Sequence, residues 1–141
     1  MGLFTQSSGG TGEKYEYLLP GSYIGELVEF TEGRLKPDFN DPENVPPTQM
    51  VNWHWNLYQP DGVTPVMHEG NQVVYVDETS HKTGKLSKSA AWFTAHLKRK
   101  FDSRTELVDR VMEECIGKKV MLIITEKDNG YKKTDVFPSG V

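Results

Sequence analysis

The sequence predicts a mainly β domain with a helical insertion: a five-stranded, curled antiparallel sheet whose helices fall between the third and fourth strands. Two observations carry this. Strand-like segments recur near residues 21–31, 49–58, 72–77, 118–126 and 131–137, and apolar residues at four-residue spacing interrupt them once, between the third and the fourth. With 141 residues and no internal repeat, the chain suits one domain with a core that needs no metal or disulfide. Residues 1–14 read as a flexible tail and 15–141 as that domain.

The first strand, GSYIGELVEF, sets Tyr23, Gly25, Leu27 and Glu29 against Ile24, Glu26, Val28 and Phe30, and Gly25 suggests a bend or bulge. Residues 31–48 hold four prolines and many turn formers, so they read as a long loop. In MVNWHWNLY, Val51, Trp53, Trp55 and Leu57 alternate with Asn52, His54, Asn56 and Tyr58, the pattern of a strand with one buried face. A shift of one residue would exchange the two sets. After the turn-rich QPDGVTPVMHEGN comes QVVYVDE, where the same logic buries Val74 and Val76 and turns Tyr75 outward beside Tyr58.

Ser87 or Ser89 then caps a helix carrying Ala90, Phe93, Leu97 and Phe101 on one stripe, with Trp92, beside His96 one turn on, at the edge of the core. A second helix opens on the capping box Ser103 and Glu106. It carries Leu107, Val108, Val111, Met112 and Cys115 on one side and stops at Gly117. KVMLIIT and YKKTDVF are the last strands, and Asn129-Gly130 between them favours a tight hairpin turn. Three strands, a helical insertion and two strands is the connectivity of the OB-fold, a barrel plugged at one end by a helix. An open sheet with both helices on one face is the alternative.

Charge is unevenly spread. The formal net charge is −4, but residues 1–78 hold 3 basic against 12 acidic residues and residues 79–141 hold 13 against 8. Between Thr79 and Phe101 stand Lys82, Lys85, Lys88, Lys98, Arg99 and Lys100 with no acid. The stretch SHKTGKLSK is no phosphate-binding loop of the Walker type, because Thr79 stands where its first glycine is needed and Leu86 where its Ser/Thr is needed. The lone Cys115 forbids an internal disulfide, and neither it nor the four histidines show metal-ligand spacing, so no metal or other cofactor is expected. With no recognisable catalytic set the reading is a non-enzyme. Neither a signal peptide nor an apolar membrane span is visible, and a reducing, cytoplasmic setting is expected.

LLPGSYIGELVEF, VNWHWNLY, ETS before KLSKSAAWFTAHL, and IGKKVMLIITEKDNGYKKTDVFP together resemble small bacteriophage-encoded OB-fold proteins regarded as single-stranded DNA-binding or replication-associated, over roughly residues 17–138. The resemblance implies a host-cell cytoplasmic protein that binds single-stranded DNA with little sequence specificity. Replication or recombination proteins would be further partners, and self-association is left open. In an OB-fold the second and third strands and their bordering loops form a groove that joins positive charge to stacking rings. The residues so assigned are His54, Asn56, Tyr58 and Tyr75 on the strands, Lys82, Lys85 and Lys88 after the third strand, and Tyr131, Lys132 and Lys133 after the final turn. The rival reading is a phage protein-interaction module that uses its acidic N-terminal half and binds no nucleic acid.

Overall fold

The computed structural model describes residues 17–81, 87–100 and 108–140. Its strands are β1 (Gly21–Lys36), β2 (Thr48–Tyr58), the two-residue β3 (Met67–His68) and β4 (Asn71–Gln72), β5 (Val74–Ser80), β6 (Lys119–Glu126) and β7 (Lys132–Pro138). The helices α1 (Lys88–Leu97) and α2 (Val108–Cys115) lie between β5 and β6. Five strands form one antiparallel sheet in the order β5-β2-β1-β6-β7, and β3 and β4 pair as a separate small hairpin within the turn-rich segment.

β1 is longer than its apolar alternation suggests, continuing through GRLK to Lys36. Its pairing with β2 shifts register between Leu27 and Glu29 and again between Glu32 and Leu35, so one long strand bends twice and curls the sheet. At the first shift Leu27 donates to the Lys118 carbonyl at 2.9 Å and accepts from Gly117 N at 2.8 Å, which ties the end of α2 to the bend. Gly25, expected to mark the bend, serves close packing instead. A Cβ there would stand 2.7 Å from Leu122 Cδ1 and 3.1 Å from Trp55 Cβ. Gly25→Ala is therefore expected to destabilise the protein by about 1–3 kcal/mol through overpacking, read from the midpoint of chemical unfolding.

The buried face of β2 is the one its alternation indicates: Trp53, Trp55 and Leu57 are wholly inaccessible and Val51 nearly so. β5 reverses the expectation. Directly opposed residues of an antiparallel pair share a face, and the ladder sets Tyr75 opposite Trp55 and Val74 opposite Asn56. Tyr75 is thus fully buried while Val74 is 41% exposed. The run Val73-Val74-Tyr75-Val76 has no apolar–polar alternation of its own, so only its partner strand decides which residues face inward.

The expected barrel is not closed, because no ladder joins the edge strands β5 and β7. Side chains and a helix take the ladder's place. The Tyr75 and Thr134 hydroxyls lie 2.7 Å apart, linking the two edges, and α1 packs against β5, β6 and β7. Burying inner-face apolar surface under a helix removes the need for backbone closure there.

Ser87 is the N-cap of α1, accepting from Ala90 N at 3.1 Å, and Lys98 ends the helix in the left-handed conformation. Trp92 is not at the core's edge but inside it, together with Phe93, Ala95 and His96. The Ser103–Glu106 capping box, Leu107 and Phe101 lie outside the described residues. In α2, Val111 and Cys115 are buried, and burial pushes the Cys115 thiol up to about 12, which leaves it unreactive near neutral pH. The turn at Asn129-Gly130 is looser than a two-residue hairpin: the ladder closes at Glu126 and Lys132, with residues 127–131 as the loop.

Candidate nucleic-acid interface

The side chains opposite the Trp53–Trp55 face form the outer surface of β2. His54 is half-buried, its Nε2 2.8 Å from the Thr31 hydroxyl, and Asn56 stands between Glu26 of β1 and Val74 of β5. Tyr58 is already engaged: its hydroxyl donates to Glu26 at 3.4 Å and the Lys119 ammonium lies 5.5 Å from its ring centre. Across the β1–β2 pair Glu29 faces His54, so this surface carries carboxylates beside its polar side chains.

The other assigned residues divide. Tyr75, placed in the groove by sequence, belongs to the core. Lys132 is likewise turned inward, only 7% exposed, with its ammonium 3.2 Å from Glu126, because the alternation of β7 puts positions 132 and 134 on the inner face. Tyr131 and Lys133 are exposed at the β6–β7 hairpin. Lys82 and Lys85 lie outside the described residues. Lys88 is exposed at the start of α1, its Nζ 4.7 Å from the centre of the Trp92 ring.

Lys88 also lines an open groove of about 600 Å³ that sequence reasoning did not foresee. One wall is the far end of β1 with Arg34 and Lys36, a second is the loop at Asp38 and Phe39, and a third is the end of β5 from Asp77 to Ser80. Asp38 shapes the loop. Its Oδ1 accepts from Asn40 N at 2.9 Å and Asp41 N at 2.8 Å, a turn that leaves Phe39 82% exposed between them. Arg34 Nε donates to both Glu78 oxygens, at 2.9 and 3.1 Å, which holds the guanidinium on the groove wall. Among the described residues neither Lys36 nor Lys88 is in an ion pair. The available signal was GRLKPDF, two basic residues and an aromatic ring in a segment otherwise of turn formers, hidden by its reading as a featureless loop.

Asp77 sits at the inner edge of this groove. Its backbone pairs opposite Trp53, so its side chain points to the core face, where the carboxylate accepts from Glu78 N at 2.8 Å and from the Thr134 hydroxyl. The Thr134 hydroxyl also lies 2.7 Å from that of Tyr75, which ties this corner of the groove to the core. Burial raises the Asp77 carboxyl above the ordinary carboxylate value, against the opposing attraction of Lys88 and its hydrogen bonds. Neither Tyr131 nor Lys133 reaches the groove, nor do His54, Asn56 and Tyr58.

No helix among the described residues is long and apolar enough to cross a membrane. Compared with known proteins, the chain matches no protein-family model and no curated protein sequence.

Proposed function

We propose that this chain is an OB-fold variant, open between its edge strands, that binds single-stranded DNA along the groove between the β1–β2 loop and the end of β5. The observation that carries this reading is the meeting of Arg34, Lys36 and Lys88 with the exposed Phe39 ring on one concave surface. A cationic path for the backbone beside an aromatic platform for a base is the physical requirement of sequence-tolerant single-strand binding. Two further features support it. The strand order third-second-first-fourth-fifth is that of an OB-fold opened along one seam, and the groove lies at the loop between the first two strands, which borders the ligand in such folds. The bacteriophage resemblance agrees with this reading and adds replication or recombination as its setting.

Fluorescence anisotropy with a labelled oligothymidine tests it. Affinity should fall with rising salt, and Lys36→Ala with Lys88→Ala should make the log–log slope shallower by about 0.7 for each phosphate no longer neutralised. Phe39→Ala should weaken binding by about 1–3 kcal/mol at every salt concentration, since stacking is not screened. Salt-independent binding, or none at low salt, overturns the proposal. The second outcome would favour the protein-interaction reading, which the carboxylates Glu26 and Glu29 on the outer face of β1 suit better.

A further inference from the structure

The groove is not lined by cations alone: Asp38, Asp77 and Glu78 line it too, and of these the half-buried Asp77 is neither paired with Arg34, as Glu78 is, nor spent on shaping the loop, as Asp38 is. A carboxylate on a surface meant for a polyanion is electrostatically unfavourable unless it meets a hydrogen-bond donor on the ligand. Asp77 is built into its position: Glu78 N–H and the Thr134 hydroxyl each donate to it, and Thr134 is held in turn by Tyr75 from inside the core. A carboxylate offers about four lone-pair positions, so these two bonds orient the group and leave it acceptor capacity, and Asp77 lines the groove.

We infer that Asp77 reads the base lodged beside Phe39, so that the groove favours bases carrying an exocyclic amino group over thymine; this rests on the single-strand reading above. The amino group of cytosine donates directly to a carboxylate. Adenine and guanine carry amino groups of the same kind. Thymine offers only its ring N3–H, set between two carbonyl oxygens that repel the carboxylate. Phe39 accepts the ring of any base, and Lys36 and Lys88 hold the phosphates of any sequence, so Asp77 supplies the preference without supplying the affinity. Its raised carboxyl pKa fits this role, since a carboxylate partly stripped of water in the free protein gains a further hydrogen bond when the ligand arrives.

The test compares labelled oligodeoxycytidine and oligothymidine of equal length, at low salt and mildly alkaline pH so that Asp77 is ionised. The wild type should bind the cytidine strand at least about 5-fold more tightly. In Asp77→Asn, whose amide presents a donor as well as an acceptor, the ratio should fall to about 1 with the thymidine affinity preserved. A cytidine strand whose amino groups are dimethylated probes the wild-type protein itself and should bind no better than thymidine, so the inference remains testable even where the variant fails to fold. Equal affinity of the wild type for both strands, a ratio unchanged by Asp77→Asn, or a preference that survives dimethylation overturns the role of Asp77 and leaves single-strand binding standing. Failure to bind either strand overturns the single-strand reading itself.

Discussion

Trp53→Ala is expected to destabilise the protein by about 3–5 kcal/mol, measured by urea or thermal unfolding. Trp53 is fully buried at the centre of an aromatic cluster, with the Phe30 ring 4.7 Å, His96 5.0 Å, Phe93 5.1 Å and Trp92 5.3 Å from it, centre to centre. These rings come from β1, β2 and α1, so one cavity would loosen the packing of the helix on the sheet as well as the sheet's own interior. The indole also donates to the Thr79 hydroxyl at 2.8 Å, and its removal leaves that buried oxygen without its donor. Tyr58→Ala, one strand position beyond Leu57 and on the opposite face, should cost far less. Equal costs for the two substitutions would mean that β2 is not buried on the Trp53 face.

Acidification is expected to remove roughly 3 kcal/mol of stability through His96 alone as pH falls from 6.5 to about 4. The imidazole is wholly buried; its Nε2 accepts from the Trp55 indole at 2.9 Å, so Nδ1 carries the proton and donates to the Trp92 carbonyl at 2.8 Å. Protonating Nε2 would set two donors against each other and place a charge in the aromatic core. Burial accordingly holds the folded-state pKa down at about 4. A base depressed in this way contributes its stability above its unfolded value of 6.5 and loses it as pH falls through the folded value.

Asp77 acts in the opposite sense, because its raised carboxyl is relieved by protonation. Asp61, held low by hydrogen bonds from Thr64 and Val63, loses its contribution only below the ordinary value of 3.8. The measurement is therefore the difference between the wild type and His96→Gln across this range. The variant should be the less stable at neutral pH, and the gap should close as pH approaches 4. A gap that stays constant with pH would mean that His96 does not titrate between its folded and unfolded states in this window.

The sequence by itself determined the features that local periodicity and local hydrogen bonding control. Alternation along β2 sufficed to bury Trp53 and Trp55, because apolar and polar residues there differ sharply at every step. The order of strands and helices and a cap at Ser87 or Ser89 were legible from local pattern, and the structure selects Ser87. Tertiary structure decided what depends on a partner strand or on the approach of distant segments. Tyr75 turned inward because Trp55 stands opposite it, in a run too uniformly apolar to declare its own register. Lys132 turned inward because the alternation of β7 puts it on the inner face with Thr134, where Glu126, its partner on β6, receives its ammonium. His96 became a neutral core residue because Trp55, 41 positions earlier, donates to it. The groove arose where the end of β1, its following loop, the end of β5 and the start of α1 converge. No window of sequence holds those four segments together, so Arg34, Lys36 and Phe39 read as loop residues until the curl of the sheet brought Asp77 and Lys88 beside them.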